Sequence, residues 1–257
     1  MTERPIQTSE WDGVFEIILN RPEVRNALLS EHIEALGRVI DEAEASQARC
    51  LLLRGAGGAF CAGRDLGEID VETEDAARTL REVINPVLLK LRRFRTPTVA
   101  AVRGPCLGLG FGLAFACDIV LAADDARMGS PFANIGLVLD SGGHRVLRDA
   151  LGYHRAADLI FTGRLLDGRT AAAMGLVSRS MGGARVEPEA RGLARRIARG
   201  PTRALQISKR ILATEDMSWE SLLDAEAEGQ GEAMRTHDGK EGVAAFVDRR
   251  KPVFTGK

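Results

Sequence analysis

The sequence predicts an α/β protein in which buried strands alternate with glycine-rich turns and helices. Residues 14–19 are almost all apolar, as in a strand buried on both faces. Ser30 is expected to cap a helix, because apolar residues then recur at helical spacing as far as Ala43. Two further apolar strands, at 51–53 and 98–102, each run into a glycine-rich turn. This repeated order favours a layered α/β fold over separate α and β halves.

The rest of the chain is assigned in the same way. A helix is expected over 75–94, with a bend or break at Pro86. The acidic, polar residues 67–73 are expected to be mobile. The remaining predicted elements are a helix from about Gly110, strands at 118–122 and 127–129, and helices at 143–151, 153–161, 168–174 and over most of 187–247.

Two regions are predicted along the chain. Residues 1–200 would form the core that carries the active site, and residues 201–257 a helical region beyond a hinge at Gly200-Pro201. A short helical tail has too few partners to bury its own apolar face, so this region must pack against another surface.

Composition argues against several classes of function. The chain has 257 residues, of which 45% are hydrophobic and 28% charged, and its net charge is −1. This balance gives no reason to expect nucleic acid as a partner. Apolar stretches end before the ~20 residues that a membrane span needs, so no membrane partner is expected. Residues 1–5 lack a basic segment followed by an apolar run, so no secretory leader is expected and the predicted location is cytoplasmic.

The cysteines and histidines show no metal-ligand spacing. The four cysteines lie in apolar surroundings without a CxxC pair, which favours reduced, buried thiols. The four histidines form no ligand pattern either, so no metal is predicted. The glycine turns lack the spacing and the downstream acid of a dinucleotide fingerprint, so no nicotinamide or flavin is expected.

The two glycine-rich turns indicate an anion-binding site. One contains Phe60-Cys61-Ala62-Gly63-Arg64-Asp65-Leu66, and the other contains Gly108-Leu109-Gly110-Phe111-Gly112. Each ends where a helix should begin, so backbone N–H groups are left unpaired with a helix dipole behind them. Two such donors aimed at one point would hold a carbonyl oxygen that becomes negative during reaction. The pattern therefore favours chemistry next to a thioester or ester carbonyl.

Five segments stand in one order over most of the chain. They are Asn20-Arg21-Pro22 with Asn26-Ala27-Leu28, the first glycine turn, Ala100-Ala101-Val102-Arg103-Gly104 through Ala116-Cys117-Asp118-Ile119-Val120, Ile135-Gly136-Leu137-Val138-Leu139-Asp140-Ser141-Gly142-Gly143, and Ala172-Ala173-Met174-Gly175-Leu176-Val177. Together they resemble the crotonase (enoyl-CoA hydratase/isomerase) superfamily, closest in motif to the epoxyphenylacetyl-CoA isomerase and enoyl-CoA isomerase group. The resemblance implies a crotonase-like spiral of repeated ββα units. It also implies a C-terminal helical region that covers the active site and builds a homotrimer or a dimer of trimers.

The resemblance also implies where catalysis takes place. The oxyanion hole would consist of the backbone N–H groups of Arg64 and Leu109, with the Arg64 side chain pointing outward. Typical hydratases of the family carry two catalytic glutamates, and the matching positions here are Gly112 and Phe132. Because both carboxylates are missing, simple hydration of a double bond is not the expected reaction.

Asp140 occupies the position of the carboxylate in the isomerase segment, with Leu139 in place of the usual proline. In an isomerase it would take a proton from C2 of a 3-enoyl-CoA and return it at C4. Burial beside Phe132 and Leu139 would raise its pKa and strengthen it as a base. The alternative is that Asp140 only caps the helix after Gly142-Gly143.

Other side chains have weaker claims to a role. His144 follows Asp140 by four residues and could orient it, although an exposed histidine of the first helical turn is the simpler interpretation. Asp118 is expected to be a structural acid bonded to nearby backbone. Glu68 and Asp70 could approach an acyl chain, with solvated charges as the simpler interpretation.

Coenzyme A is expected as part of the substrate, with no separate cofactor. Arg25 matches a basic family position near the CoA phosphates, which suits the fixed fork of donors on an arginine. The resemblance places the backbone of Ala27, Ala62, Asp65 and Leu66 along the adenine and pantetheine. Phe246 and Lys251 resemble the C-terminal segment that contacts the adenine nucleotide, a contact that could cross a subunit interface.

The leading hypothesis is an acyl-CoA isomerase that shifts a double bond, or rearranges an unsaturated ring, through an enolate. One alternative is an enoyl-CoA hydratase of fatty-acid or aromatic-acid degradation in which Asp140 replaces the missing glutamates. Another is a CoA-thioester-binding homologue without catalysis. Aryl-CoA dehalogenation is disfavoured, because a phenylalanine stands at the tryptophan position, Phe132, and residues 75–100 contain no histidine.

Overall fold

The computed structural model describes residues 4–257 and contains two β-sheets covered by helices. The strands are β1 (Ile6–Trp11), β2 (Val14–Leu19), β3 (Cys50–Gly55), β4 (Thr98–Val102), β5 (Pro105–Leu107), β6 (Ile119–Ala123), β7 (Arg127–Gly129), β8 (Leu166–Asp167) and β9 (Arg179–Met181). The helices are α1 (Ser30–Ala45), α2 (Ala76–Thr79), α3 (Asn85–Arg92), α4 (Leu109–Ala116), α5 (Gly143–Leu151), α6 (Tyr153–Thr162), α7 (Gly168–Ala173), α8 (Gly183–Ala198), α9 (Thr202–Ala213), α10 (Trp219–Arg235) and α11 (His237–Val247). The predicted α/β class is confirmed.

The strand order confirms a spiral of ββα units. One sheet has the order β1-β2-β3-β4-β6-β9 and is parallel except at β1, and the other has the order β5-β7-β8. The chain places β4 in the first sheet and β5 in the second before it enters α4. It then repeats the step with β6 and β7 before α5. As a result α4 contacts strands of both sheets, and its N-terminus lies where the two sheets meet.

The core is built from fully apolar strands and from a helix with a small-residue face. Leu51–Leu53 on β3 and Val99–Val102 on β4 are buried, as expected for parallel strands covered on both faces. Helix α8 packs across β3, β4 and β6. Its buried residues are Val186, Ala190, Ala194 and Ala198, which recur every four residues and let the helix approach the sheet closely.

Two local predictions need correction, and strands β1, β5, β8 and β9 were missed. Strand β1 was not predicted, because its residues are mostly polar and exposed at the edge of the sheet. Ser30 is the first residue of α1 rather than its cap, and Leu29 is the N-cap. The predicted helix over 75–94 is α2, a π-helical turn at Leu80–Ile84, and α3, so the irregularity lies just before Pro86.

The four cysteines are free and buried, as the sequence predicts. Burial raises the pKa of the Cys50, Cys61 and Cys117 thiols to about 12, which leaves them protonated and unreactive at neutral pH. Among residues 4–257, no helix is long and apolar enough to cross a membrane.

The C-terminal helices are tied to the rest of the chain by two basic side chains. Arg49, just before β3, donates from Nε to Thr202 Oγ1 at 2.6 Å. Lys209 on α9 donates to Thr96 O at 3.0 Å and pairs with Asp118 at 2.7 Å. Beyond α9, helix α10 packs on α9 and helix α11 on α10. The division of the chain at residue 200 stays a prediction.

A buried carboxylate joins β2 to α8. Glu16 is fully buried and accepts hydrogen bonds from Arg54 Nε at 2.7 Å, Arg191 Nη2 at 2.7 Å and Trp11 Nε1 at 3.0 Å. Burial alone would raise the pKa of Glu16, but the hydrogen bonds, chiefly from Arg54, outweigh it and hold the pKa below its usual range. The ionised form is therefore the one that stabilises the fold.

We expect Glu16→Gln to lower the free energy of unfolding at pH 7 by about 3 kcal/mol, because Arg54 and Arg191 lose their shared counter-ion. A carboxyl whose pKa is lowered in the folded state stabilises above its unfolded pKa and loses that effect as the pH falls. The deficit of the variant should therefore shrink as the pH falls from 7 towards 3. Urea unfolding at a series of pH values measures the difference in unfolding free energy between the native protein and the variant. The control is Glu10→Gln, which removes an exposed carboxylate of β1. An equal deficit at every pH would contradict the assigned role.

Candidate active site

The site is organised by the N-terminus of α4, a helix whose eight residues are all buried. Gly108 precedes it with a φ of +52°, a conformation that favours glycine, and no side chain caps the helix. The N–H of Leu109, the first helical residue, has no hydrogen-bond acceptor among residues 4–257. A buried helix end thus presents an unpaired donor together with the positive end of its dipole.

The first glycine turn lies directly against this helix end. Cys61 pairs with Cys106 as an extra parallel bridge beside β5, and Leu107 N donates to Cys61 O at 3.0 Å. Any side chain on Gly63 would begin 2.9 Å from Leu107 O and 3.7 Å from Leu109 N. A side chain on Gly110 would begin 2.3 Å from Cys61 O. Only glycine allows the two turns to approach this closely.

Arg64 supplies a second unpaired backbone donor. Its N–H has no acceptor among the described residues. Its neighbours are fixed, because Leu28 N donates to Gly63 O at 2.9 Å and Asp65 N donates to Leu28 O at 2.9 Å. The two N–H groups that the sequence predicts as donors, those of Arg64 and Leu109, therefore both lie unpaired on turns that contact each other.

The side chain of Arg64 is largely covered and ion-paired. It is only 16% exposed and binds Glu68 Oε1 at 3.0 Å and Glu74 Oε1 at 2.7 Å. Glu68 in turn accepts from Ser30 N at 3.1 Å and from Ser30 Oγ at 2.9 Å, at the start of α1. Glu68 is exposed, as expected of a solvated charge, and it is also ion-paired with Arg64. Together these contacts tie the acidic segment after the turn to the turn itself.

A third segment, the turn at residues 140–143, packs on α4 one helical turn beyond Leu109. A side chain on Gly112 would begin 2.5 Å from Ser141 Cβ and 2.8 Å from Ser141 O. Position 112, where hydratases of the family carry a glutamate, thus has no room for any side chain. Ser141 and Gly142 both have positive φ values, +54° and +79°, which bend the chain sharply before α5.

Asp140 is held in this turn as a carboxyl without partners. Its Oδ1 is buried, and no hydrogen bond or ion pair to its side chain exists among residues 4–257. Burial raises the pKa of Asp140, and the nearby Ser141 hydroxyl opposes part of the rise without reaching hydrogen-bond geometry. The side chain does not cap α5, because the N-cap is Gly142 and Gly143 N donates to the backbone oxygen of Asp140 at 2.9 Å. The capping alternative is therefore wrong.

Two apolar side chains surround this region. The Phe132 ring lies 3.4 Å from the point where a side chain on Gly108 would begin, next to the Leu109 N–H. Leu139 is buried and packs against Gly143, where an added side chain would begin 2.8 Å from it. They place apolar groups beside Asp140, Ser141 and the backbone donors.

The weaker candidates do not join the site. His144 is exposed, and no hydrogen bond connects it to Asp140. Asp118 accepts from Thr98 N at 2.8 Å and pairs with Lys209, which confirms a structural role. Asp70 accepts from Thr73 Oγ1 at 3.0 Å within its own exposed loop.

The residues expected along coenzyme A fall into two groups. Five of them are brought together: Arg25, Ala27, Ala62, Asp65 and Leu66. Ala62 N donates to Arg25 O at 2.9 Å, and Arg21 binds both Ala27 O and the Asp65 carboxylate. The Arg25 side chain is exposed and has no partner within residues 4–257.

Phe246 and Lys251 lie elsewhere, at the far end of the C-terminal helices. Both are exposed, and no hydrogen bond or ion pair in the described part of the chain joins them to the first group. Their role in binding the nucleotide stays a prediction.

Asn26 is a site-building residue for which sequence reasoning assigned no role. It has a φ of +57°, which asparagine tolerates better than most residues. Its side chain accepts from Arg21 N at 2.7 Å and donates to Ala59 O at 2.8 Å and Ala56 O at 3.0 Å. This fully buried amide locks the loop that carries Arg25 onto the first glycine turn.

Comparison with known proteins agrees with this geometry. A family model described as enoyl-CoA hydratase/isomerase matches residues 9–257. The chain is 35% identical over 251 residues to the 1,2-epoxyphenylacetyl-CoA isomerase of Escherichia coli (strain K12), covering 95% of this chain and 96% of that protein. It is 36% identical over 255 residues to the human enoyl-CoA hydratase domain-containing protein 2, mitochondrial, covering 95% and 86%. The crystal structure of an enoyl-CoA hydratase from Bacillus anthracis superposes with a TM-score of 0.92 at 27% identity, covering 99% and 100%.

We expect Gly112→Ala to destabilise the fold by about 1–3 kcal/mol, because the added methyl group meets the Ser141 backbone oxygen as well as its side chain. The matched control is Gly182→Ala, where no heavy atom lies within 4 Å of the added carbon. Thermal unfolding of the two variants compares them. Equal stability of both would contradict the close approach of the 140–143 turn to α4.

Proposed function

The chain belongs to the enoyl-CoA hydratase/isomerase family, and we propose that it is an acyl-CoA isomerase. It moves a double bond from the 3-enoyl to the 2-enoyl position of a CoA thioester, or performs a related ring rearrangement, through an enolate. The observation that carries the proposal is Asp140, a sheltered carboxyl without partners beside a helix end whose first N–H is unpaired.

The first step is formation of the enolate. The thioester oxygen accepts from the N–H groups of Arg64 and Leu109, which have no other acceptor among the described residues. As a proton leaves C2, negative charge develops on that oxygen, and preorganised donors stabilise it. Loss of one such donor typically costs on the order of 10²–10³ in kcat. The dipole of α4 adds to the effect.

The second step returns the same proton. Asp140 takes the proton from C2 as a base, and the protonated carboxyl then donates it to C4 of the dienolate. A raised pKa serves both roles, because the carboxylate is a stronger base and the protonated acid survives closer to neutral pH. Absence of a fixed partner leaves the carboxyl able to reach two carbons in turn.

Hydration is the second candidate, because the human relative is named as an enoyl-CoA hydratase domain-containing protein. Adding water requires one group that activates water and one that handles the proton at C2. The two glutamate positions hold Gly112 and Phe132, and the space beside Gly112 is filled by Ser141. Asp140 would have to perform both tasks, which favours isomerisation.

We also propose how the thioester is held. The exposed Arg25 guanidinium binds the CoA phosphates, and the backbone of Ala27, Ala62, Asp65 and Leu66 flanks the adenine and pantetheine. Phe246 and Lys251 reach the nucleotide from a second copy of the chain in a trimer or a dimer of trimers. No further cofactor takes part, since the reaction moves a proton and forms no oxidised or reduced product.

We expect Asp140→Asn to lower kcat for isomerisation of 3-hexenoyl-CoA by at least 10²-fold, because the amide keeps the shape but cannot accept the proton. Native protein should hydrate crotonyl-CoA only slowly. The variant should also unfold at a higher temperature at pH 7 but not at low pH, since burial of the ionised carboxylate is unfavourable only above its usual pKa. Spectrophotometric assays of both substrates and thermal unfolding provide these measurements.

Rapid hydration of crotonyl-CoA, or isomerisation that is indifferent to Asp140→Asn, would contradict the proposal. Saturable binding of the thioesters without turnover of either would instead favour a CoA-thioester-binding protein without catalysis.

A further inference from the structure

Two polar atoms in adjacent residues are buried without a hydrogen-bond partner, Asp140 Oδ1 and Ser141 Oγ. Both are shielded from solvent, so bulk water does not satisfy them. Buried polar groups in proteins are nearly always paired, and an unpaired one demands an explanation. Two unpaired atoms of complementary chemistry, an acceptor and a hydroxyl donor, lie side by side in the chain.

The position of Ser141 is fixed by its backbone. It has a φ of +54°, which is unusual for a residue with a side chain, and its Cβ and O press against Gly112. The residue cannot withdraw from Asp140 without moving the whole turn. Its hydroxyl, in contrast, changes direction by rotation about a single bond.

Within residues 4–257, no charged group forms an ion pair or hydrogen bond with the Asp140 side chain. Helix α4 presents only apolar residues, and the turn at Phe132–Ile135 has Asn134 as its sole polar side chain. On α5, His144 and Arg145 are exposed, and Arg145 is paired with Asp149 and Glu215. Burial raises the pKa of Asp140, and the Ser141 hydroxyl lowers it.

We propose that Ser141 is a positioning residue for Asp140: its hydroxyl turns to donate a hydrogen bond to the carboxylate and releases it when Asp140 takes up the substrate proton. The serine proton is not transferred. The C2 proton passes to the Asp140 carboxylate, and the electron pair of the broken C–H bond enters the enolate. Because this hydrogen bond favours the ionised carboxylate, Asp140 remains a base at a lower pH than burial alone would allow. This inference rests on the proposed function and adds a residue to it.

The test compares Ser141→Ala and Ser141→Gly in the isomerisation of 3-hexenoyl-CoA from about pH 5 to about pH 9. Both remove the hydroxyl, but alanine keeps the packing on Gly112 whereas glycine relieves the positive φ. We expect the acid limb of kcat/KM to move up by on the order of one pH unit in both variants, because a hydrogen bond to the charged form is lost. The plateau at high pH should stay within about threefold of the native value. Ser46→Ala, at the distant end of α1, is the control.

A uniform loss of rate with an unmoved acid limb would overturn the inference and indicate a structural role for Ser141. An unchanged profile would overturn it as well. If Asp140→Asn remains active, the proposed function itself fails; if Asp140→Asn is inactive and the limb does not move, only this inference fails. Infrared titration of the Asp140 carboxyl band, identified by its absence in Asp140→Asn, gives the same shift without turnover. An unshifted band in both serine variants would refute the inference.

Discussion

Close approach of two backbone segments, the first glycine turn and the turn at residues 140–143, to the first turns of α4 is the constraint on which the rest of the structure depends. Side chains on Gly110 and Gly112 would begin 2.3 Å from Cys61 O and 2.5 Å from Ser141 Cβ. Because these two glycines lack side chains, the first glycine turn brings the unpaired N–H of Arg64 close to α4. For the same reason the turn at residues 140–143 brings the Asp140 carboxyl close to that helix. The sheets fix this arrangement, because the chain alternates between them immediately before α4.

The same constraint explains the chemical character of the site. A buried helix end with unpaired donors and a buried carboxyl without partners are both unfavourable for folding. The fold offsets them elsewhere, with apolar strands and with the Glu16 network between β2 and α8. Unfavourable groups kept together in one place are typical of sites selected for chemistry rather than for stability.

Sequence reasoning predicted the parts of this arrangement that depend on local pattern. The α/β class and most elements follow from apolar periodicity and glycine spacing, and the family follows from the resemblance of five segments in one order. Contacts between distant segments could not be read from the sequence. Gly112 was recognised as a missing carboxylate but not as a point of close contact. The ion pair of Arg64 depends on where the chain places Glu74, ten residues further on. The polar edge strand β1 also lacked a pattern, since its stability comes from pairing with β2.

The most direct test of a single-carboxylate shuttle follows the proton itself. We would incubate 3-hexenoyl-CoA deuterated at C2 with the protein in ordinary water for a single turnover and locate the label in the product by mass spectrometry and NMR. Because Asp140 is sheltered, the account predicts that a substantial part of the deuterium arrives at C4. Product with solvent hydrogen alone at C4, formed at the same rate, would show that separate groups remove and return the proton and would contradict the account.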